Sequence, residues 1–505
     1  KLFQERALPD LGENIKCGNS LIGWDILEGR PEMTEEEIER INPFDWEREF
    51  PEIMGRGGFD AVIGNPPYVR QEGLGEFKVY FQEHYQVYHG IADLYTYFIE
   101  KGVSLLRPRG IFSYIVGNKW TRANYGQPLR VWLKRQHIEE IVDFGDLRVF
   151  QKATTYPCII RISKEAPHDS FQVAQIKTLS FTDLSDYVEE HRYKVWQSYL
   201  EDAGWSLVDE SVQRLLEKLR RAGTPLGEYV GGKIYYGIKT GLNEAFVIDE
   251  DTRANLIAED PKSEELIWPF LVGRDIKRYQ TPVSDTYLIL IPKGWTREKS
   301  NNDKNALNWF RKNYLAIANH LIPFAEAAQK RYDKGEYWWE LRTCDYYDVF
   351  EYTKIIWPGI SAEVAAFAYD TAKYYGNDNI QLILNDDLYL LGFLNSHLTH
   401  FLLKSICDKV QGGFYRLKII YISQLPIRTI DFFDPQDVAR HDKMVGLVER
   451  MLDLHKRLAE TKAGHEKTLL SRQIEATDKQ IDNLVYELYG LSEDEIKIVE
   501  EATAG

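Results

Sequence analysis

Short apolar runs alternate with amphipathic stretches in the N-terminal part of the chain, which is typical of an α/β fold. Runs rich in β-branched and aromatic residues predict strands, and apolar residues three or four positions apart predict helices. Residues 14–22 predict a short strand that ends in a loop, and further predicted strands cover residues 59–63, 111–116, 138–144, 156–162 and 171–176. The predicted helices cover residues 91–107, 122–136 and 210–221.

The pattern changes twice further along the chain. Glycine, threonine and proline at residues 223–225 interrupt the helical pattern, and shorter apolar runs follow. Amphipathic stretches at residues 438–458 and 469–489 predict an antiparallel helical hairpin, and Ser492 and Glu495 have the capping-box spacing that begins a last helix. We therefore predict an α/β domain at residues 1–168, a connector at 169–225, a mixed α+β domain at 226–430 and a helical region at 431–505.

One stretch of the first domain carries candidate chemistry. The sequence FDAVIGNPPYV, residues 59–69, begins with an apolar run that predicts a buried strand and continues into a stiff loop. In open α/β sheets, ligands bind at the carboxyl ends of the strands, where this loop would lie. Pro66 and Pro67 fix their own φ angles and keep the preceding residues extended. The Asn65 side chain and the Pro66 carbonyl group are therefore expected to be held rigidly beside the ring of Tyr68.

Two hydrogen-bond acceptors beside a flat ring suit a planar amino group. The lone pair of the amino nitrogen in adenine, cytosine or an amide is delocalised, so this nitrogen is a poor nucleophile. Two acceptors that hold its hydrogens favour the pyramidal, charge-developing geometry of attack, which stabilises the transition state. A proline-rich turn without a function would read the same, but the strand before it favours a catalytic loop.

The composition predicts a globular protein without a membrane-spanning segment. No stretch reaches the roughly 18 consecutive apolar residues of a membrane helix. The net charge of −16 does not indicate nucleic-acid binding, but a DNA cleft needs only one basic face, and basic residues cluster with aromatic ones at 130–135, 274–279 and 415–418. The cysteines are Cys17, Cys158, Cys344 and Cys407. Because they lie far apart without a CxxC pair, we expect reduced thiols in a cytoplasmic protein and no zinc site.

The Asn65-Pro66-Pro67-Tyr68 tetrapeptide after a strand resembles the signature of the methyltransferases that use S-adenosylmethionine to methylate amino nitrogens. The form with asparagine and tyrosine is similar to that of the adenine-N6 DNA methyltransferases of the gamma class. The resemblance implies a Rossmann-like methyltransferase domain over residues 1–168, with this tetrapeptide as its catalytic residues. It also implies a flipped target base, since adenine inside B-form DNA cannot present its amino group.

Two further segments resemble the parts of this family that bind the cofactor. Asn19 and Ser20 stand where the family contacts the adenine of S-adenosylmethionine, and an asparagine amide can satisfy both the donor and the acceptor edge of that base. The segment 93–98 is similar to the one whose aromatic residue packs on the same adenine. The resemblance therefore implies an adenine slot between Phe98 and Pro67.

A third segment, residues 147–156, resembles a later motif in which a phenylalanine packs against the flipped base. The resemblance implies that Phe150 and Tyr68 hold the target ring from its two sides. Aromatic contacts of this kind contribute about 1–3 kcal/mol each.

The region 226–430 resembles the target-recognition domain of the Taq-type adenine methyltransferases and of type IIG restriction–modification enzymes. The resemblance rests on the order of several short segments and not on any one of them. These segments cover residues 235–243, 271–277, 354–360, 390–396, 412–417 and 425–427. The closing helices also resemble those of type IIG chains, so double-stranded DNA is the implied partner.

The family's Gly-rich loop and its acidic residue for the ribose should both precede Asn14, where only thirteen residues stand. We therefore expect an N-terminally incomplete methyltransferase domain, in the C-terminal part of a longer protein. In type IIG enzymes the nuclease usually precedes the methyltransferase, so a nuclease region or subunit upstream of Lys1 is a candidate further partner.

The leading hypothesis is a site-specific DNA adenine-N6 methyltransferase of a type IIG-like restriction–modification enzyme, with S-adenosylmethionine as its cofactor. One alternative is a DNA-recognition module without catalysis, because the Gly-rich loop is absent. Another is a nuclease-free adenine methyltransferase of phage defence. A nuclease within this chain would combine Asp60 with Glu76-Phe77-Lys78, but Asp60 lies inside the predicted methyltransferase strand.

Overall fold

The structure of the protein is a computed structural model, which describes residues 12–28, 32–69, 71–145, 147–150, 156–361, 366–407 and 414–503. The chain divides into two compact units, of which the first ends at Arg214 and the second begins at Leu215. Among the residues described, none of the helices combines the length and the apolar character that crossing a lipid bilayer requires.

The first unit is built on a mixed sheet of six strands in the order β1-β2-β4-β3-β5-β6. Its strands are β1 (Phe59–Gly64), β2 (Leu106–Gly117), β3 (His137–Asp143), β4 (Pro157–Ser163), β5 (Ser170–Gln175) and β6 (Tyr193–Trp196). Its helices are α1 (Glu35–Ile41), α2 (Trp46–Glu49), α3 (Pro51–Gly55), α4 (Lys78–His84), α5 (Tyr95–Ser104), α6 (Gln127–Leu133) and α7 (Leu184–His191). The helix α8 (Glu210–Ala222) contains the division between the units.

The strand directions bring the carboxyl ends of β1, β2 and β3 to one edge of this sheet, together with that of β5, which pairs with β3 in parallel. β1 pairs with β2 in parallel, whereas β4 pairs antiparallel with both β2 and β3. β3 therefore runs in the same direction as β1 and β2, and the carboxyl ends of all three strands lie at the same edge. The strands predicted at 111–116, 138–144, 156–162 and 171–176 are confirmed as β2 to β5. β5 and β6 both lie in the segment 169–225 that we interpreted as a connector.

Residues 59–63 form the predicted strand, but the prediction that this strand is buried is wrong. The side chain of Ile63 is 85% exposed, and Ala61 is also exposed. β1 is the terminal strand of the described sheet and hydrogen-bonds to β2 along one side. An apolar run therefore identified the strand but not its place at the edge.

The short strand predicted within residues 14–22 is not formed, although the loop predicted at its end is present. Asn19 makes one isolated bridge with Pro43, and its N–H donates to the carbonyl group of Asn42 at 2.6 Å. The chain then turns back at once, because the N–H of Ile22 donates to the carbonyl group of Asn19 at 3.1 Å. This turn prevents a longer ladder of strand hydrogen bonds.

Two predicted helices are shorter than their patterns suggested. α5 ends at Ser104, and the following strand β2 begins at Leu106, so that Pro108 lies within the strand. The pairing of β1 with β2 shifts in register between Phe59 and Ala61, which accommodates that proline within the strand. α6 begins at Gln127, with Pro128 in its first turn, where a missing N–H costs little.

The second unit is a mixed α+β fold with two four-stranded sheets, in the orders β15-β10-β11-β9 and β14-β12-β16-β8. Its strands are β7 (Thr224–Pro225), β8 (Ile234–Tyr236), β9 (Val247–Asp249), β10 (Ile267–Leu271), β11 (Thr286–Ile289), β12 (Lys354–Pro358), β13 (Ile360–Ser361), β14 (Ala368–Asp370), β15 (Tyr375–Gly376), β16 (Ile380–Ile383), β17 (Tyr415–Arg416) and β18 (Pro426–Ile427). Its helices before the C-terminal region are α9 (Leu226–Tyr229), α10 (Asn243–Phe246), α11 (Glu250–Glu259), α12 (Trp295–Lys299), α13 (Ala306–Asn313), α14 (Leu315–Leu321), α15 (Ala325–Lys330), α16 (Leu388–Leu394), α17 (His397–Ile406) and α18 (Ile419–Ile422).

The C-terminal helices are confirmed as α19 (Pro435–Glu460) and α20 (Gly464–Leu488), which pack against each other. The predicted capping box is also present. The N–H of Ser492 donates to Glu495 Oε2 at 2.8 Å, and the N–H of Glu495 donates to Ser492 Oγ at 3.3 Å. These bonds satisfy backbone donors at the start of α21 (Glu493–Thr503).

Candidate functional site

The four residues of the predicted catalytic loop follow β1 directly. Asn65 is exposed, so its amide does not face the hydrophobic interior. Pro66 is buried and Pro67 is exposed, while Tyr68 is 38% exposed. The loop therefore exposes Asn65 to solvent, whereas the next residue, Pro66, is buried. Both residues lie at the edge of the sheet where β2 and β3 also end.

Tyr68 attaches this loop to two other elements of the unit. Its hydroxyl group lies 3.5 Å from the carbonyl oxygen of Ile115 on β2, and its ring centroid lies 6.2 Å from that of Tyr95 on α5. Burial, with a smaller effect of Cys158, raises the pKa of Tyr68 to about 12. The phenol group therefore stays protonated at neutral pH, and Tyr68 presents an uncharged aromatic ring.

The end of the loop is joined to the start of α5. The carbonyl group of Val69 accepts a hydrogen bond from the N–H of Leu94 at 3.0 Å. Phe98, the predicted cofactor-packing residue, lies on α5 and is half-buried against the core of the unit. Sequence reasoning thus placed Phe98 on the helix that the loop contacts, and its packing against a cofactor stays a prediction.

Two tyrosines hold the segment that follows Asn19. Tyr85 Oη donates to the carbonyl oxygen of Leu21 at 2.7 Å in a buried position. Tyr80 Oη accepts a hydrogen bond from the N–H of Gly23 at 3.0 Å. Tyr80 lies on α4, and Tyr85 is the residue directly after this helix. In the chain, α4 comes after the predicted catalytic loop.

The polar groups of Asn19 and Ser20 lie beside these contacts. Asn19 is half-buried, and its Oδ1 accepts a hydrogen bond from the N–H of Leu21 at 3.3 Å. The indole Nε1 of Trp46 donates to the carbonyl oxygen of Ser20 at 3.1 Å. Asn19 and Ser20 are therefore both part of a turn that side chains from elsewhere in the unit hold in place.

Helix α5 connects this turn with the catalytic loop. The ring of Tyr97 on α5 makes an edge-to-face contact with Tyr85 at 5.4 Å, and the ring of Tyr95 on the same helix contacts Tyr68. The structure thereby groups Asn19, Ser20, Phe98 and the catalytic loop around one helix, although they are far apart in the sequence.

Phe150 lies beyond the end of β3, at the same edge of the sheet as the catalytic loop. Its side chain is half-buried. Residues 151–155 of the segment 147–156 and residues 412–413 of the segment 412–417 lie outside the described residues. A stacking role of Phe150 opposite Tyr68 stays a prediction.

Sequence reasoning missed several residues that shape this site. Trp46, Tyr80 and Tyr85 carry no local signal, because each acts through a contact with a distant part of the chain. Asn118 and Asp143 were also missed, although both stand at the carboxyl ends of predicted strands. Their position at the edge of an α/β sheet where ligands bind is a signal that could have found them.

The structure describes the residues of the alternative nuclease only in part. Asp60 lies on β1, and its carboxylate forms an ion pair with Arg107 at 2.6 Å. The side chain of Glu76 lies outside the described residues. Among the residues described, no group of three or more histidine, cysteine, aspartate and glutamate side chains could hold a metal ion.

In two of the basic clusters, an arginine forms hydrogen bonds to other groups of the protein. Arg130 is fully buried and donates to backbone carbonyl groups, including those of Asp202 and Ala203, each at 2.9 Å. Burial lowers the pKa of Arg130 to about 10. Arg278 donates to the carboxylate of Asp478 at 2.5 and 2.6 Å. Neither arginine is presented as a free contact for phosphate.

Comparison with known proteins adds two family matches. The family described as Eco57I restriction-modification methylase matches residues 3–150, and the family described as TaqI-like C-terminal specificity domain matches residues 268–427. The type II restriction enzyme and methyltransferase RM.Eco57I of Escherichia coli is 23% identical, over 98% of this chain and 51% of its own length. The type II methyltransferase M.BstVI of Geobacillus stearothermophilus is 24% identical, over 88% of this chain and 75% of its own length.

A solved structure shares the fold over most of the chain. It is that of the type IIL restriction–modification enzyme MmeI in complex with DNA, with a TM-score of 0.54 and 13% sequence identity over 88% of this chain and 56% of that one. This chain thus spans about half the length of MmeI and of the Escherichia coli enzyme.

Proposed function

We propose that this chain, which carries an Eco57I-type restriction-modification methylase region followed by a TaqI-like specificity domain, methylates the N6 amino group of adenine at a specific sequence in double-stranded DNA. The single observation that carries the proposal is the position of the Asn65 amide. Asn65 is exposed directly after the carboxyl end of β1, and a buried proline, Pro66, follows it in the chain.

The chemistry of the proposed reaction rests on two oxygen atoms. Asn65 Oδ1 and the carbonyl oxygen of Pro66 accept hydrogen bonds from the two hydrogens of the adenine amino group. As this nitrogen forms its new bond to carbon it becomes positively charged, and both oxygens interact more strongly with it than with the neutral amine. The methylated ammonium is acidic enough to release its proton to water, so the reaction needs no side chain with a tuned pKa.

S-adenosylmethionine is the proposed cofactor; when bound it would supply an electrophilic methyl group whose bond to the sulfonium sulfur breaks, so that the rest of the cofactor leaves as a neutral thioether. Asn19 and Ser20 would hold its adenine in the plane of the ring, and Phe98 and Pro67 would contact the faces. The residues fit such a group, because Asn19 offers an amide donor and acceptor at a half-buried position and Phe98 is a partly buried ring.

The target adenine would leave the duplex and lie between Tyr68 and Phe150. Tyr68 suits this role because its hydroxyl group is directed to Ile115 and its ring is still 38% exposed. The TaqI-like region supports sequence-specific binding of duplex DNA by the second unit. A nuclease region or subunit elsewhere in the complete system is part of the same proposal, since RM.Eco57I is named as both a restriction enzyme and a methyltransferase.

The decisive experiment is the Asn65→Ala variant of the complete protein. We expect methylation of adenine in cognate DNA, measured by mass spectrometry of digested DNA, to fall by about 100- to 1000-fold, as when one oxyanion donor is removed from an active site. DNA binding should be unchanged, because the amide contacts only the reacting amino group.

The control is Asn124→Ala, which removes an exposed asparagine from the same unit. Methylation by Asn65→Ala at the rate of this control would refute the proposal. Specific DNA binding by the unmodified protein without any methyl transfer would instead favour a recognition module.

A further inference from the structure

Asn118 follows β2 directly and binds the chain on both sides of the segment that carries Phe150. Its backbone N–H donates to the carbonyl oxygen of Tyr156, the residue before β4, at 2.7 Å. Its side-chain Nδ2 donates at 2.8 Å to Oδ1 of Asp143, the last residue of β3. β3 and β2 are not neighbours in the sheet, since β4 lies between them. One asparagine thus joins the ends of three strands.

Asp143 uses the same oxygen to fix the turn after β3. Its Oδ1 also accepts a hydrogen bond from the N–H of Gly145 at 3.0 Å. Gly145 has a φ of +56°, a left-handed conformation that glycine adopts without strain. The Asn118 amide is also 3.4 Å from the carbonyl oxygen of Gly145. This asparagine–aspartate pair therefore fixes the backbone directly after β3, at Gly145, on the side of the segment that carries Phe150.

Tyr68 is the other ring predicted to hold the target base, and it contacts β2, the strand that Asn118 follows. The hydroxyl group of Tyr68 lies 3.5 Å from the carbonyl oxygen of Ile115, which stands near the carboxyl end of β2, shortly before Asn118. Tyr68 follows β1 in the chain and Phe150 follows β3, and these two strands are not paired with each other. The distance between the rings therefore depends on how each of them is fixed to β2.

We propose that Asn118 is a positioning residue that sets the gap between Phe150 and Tyr68 through its hydrogen bonds to Asp143 and Tyr156. It does not touch the base itself. This inference rests on the proposed function, because it assumes that the two rings hold a flipped adenine. It adds a specific determinant of that geometry which lies outside the catalytic loop.

The test compares Asn118→Ala with Phe150→Ala in the complete protein, alone and combined. The substrate is cognate DNA with 2-aminopurine at the target adenine, whose fluorescence reports how the base is stacked, together with normal DNA for methylation rates. We expect Asn118→Ala to lower the methylation kcat on the order of 10- to 100-fold, as expected for a misplaced reacting group. Its fluorescence should change in the same direction as in Phe150→Ala, and the KM for cofactor should stay constant.

The combined variant decides whether Asn118 acts through Phe150. If it does, Asn118→Ala costs little further kcat when Phe150 is already alanine. An equal loss in both backgrounds would overturn the proposal, because the two residues would then act independently. Asn124→Ala is the matched control and should leave both the rate and the fluorescence unchanged.

An exchange variant keeps the test valid if Asn118→Ala fails to fold. In the double variant Asn118→Asp with Asp143→Asn, an amide at position 143 can donate to a carboxylate at 118 and still accept from the N–H of Gly145. We expect the double variant to recover the rate and fluorescence that Asn118→Asp alone loses, since the single change places two carboxylates side by side. No recovery in a folded double variant would count against the proposal.

Failure of this inference is distinguishable from failure of the proposed function. If the unmodified protein methylates adenine and Asn65→Ala does not, but Asn118→Ala behaves as the control does, only the positioning role is wrong. If the unmodified protein does not methylate adenine, the proposed function is wrong and this inference falls with it.

Discussion

Replacing Tyr85 by phenylalanine tests whether the turn at Asn19 binds the cofactor. The change removes one hydroxyl group, which donates to the carbonyl oxygen of Leu21 at 2.7 Å. Leu21 is 3% exposed and Tyr85 is 8% exposed, so water does not readily replace the lost donor. The ring and its contact with Tyr97 remain, because phenylalanine has the same shape.

The magnitude follows from the buried carbonyl group that the variant leaves without this donor. A buried polar group that loses its partner costs about 1–3 kcal/mol. If the lost hydrogen bond destabilises the ordered conformation of the turn by this amount, part of the free energy of cofactor binding is used to order the turn again. The Kd for S-adenosylmethionine should then rise by roughly 5- to 150-fold, since about 1.4 kcal/mol corresponds to a factor of ten.

The assay is calorimetric titration of the complete protein with S-adenosylmethionine, together with chemical denaturation. Tyr193→Phe is the matched control, because Tyr193 Oη donates to the carbonyl oxygen of Leu207 at 2.7 Å in the same unit but on β6, at the far edge of the sheet. Both variants should lose stability, whereas only Tyr85→Phe should weaken cofactor binding. Equal cofactor affinity in the two variants would refute the assignment of this turn to the cofactor.

Two further predictions concern the second unit. Lys354 forms an ion pair with Asp370 at 2.6 Å, with side chains only 1% and 0% exposed, so Lys354→Met should leave a buried carboxylate unpaired and cost about 3–5 kcal/mol in chemical denaturation. A loss below 1 kcal/mol would contradict this expectation, since that is the scale of an exposed pair. Burial, and then the positive charges of Lys404 and His397, lower the pKa of His400 from 6.5 to about 4. The unfolded chain therefore binds a proton between these pH values that the folded chain does not, so stability falls as the pH decreases from 6.5 to 4. His400→Phe should flatten this part of the stability profile, and an unchanged profile would show that His400 is not responsible.

The parts of the site that the sequence predicted are those that depend on neighbouring residues. The loop at Asn65 could be recognised because two consecutive prolines restrict the backbone directly, whatever surrounds them. The long C-terminal helices could be recognised because their amphipathic pattern repeats over many residues. The capping box before Glu493 is also a local arrangement, complete within four residues.

The local pattern was insufficient where a residue's environment depends on distant elements. The same apolar run that predicted β1 predicted its burial, but Ile63 is exposed because β1 is the terminal strand of the described sheet. The segment at Asn19 read as a strand, yet its bridge partner is Pro43 and it forms a turn.

The sequence by itself predicted the stiff loop after β1, the positions of β1 to β5 along the chain and the C-terminal helices. The tertiary structure decided which side chains hold the loop's surroundings in place. Tyr85 reaches Leu21 over 64 residues, and Asn118 reaches Asp143 over 25. Backbone restriction and hydrophobic periodicity act over a few residues and are visible in one dimension. A hydrogen bond between distant residues forms only where packing brings both groups to the same place, and no local pattern contains that information.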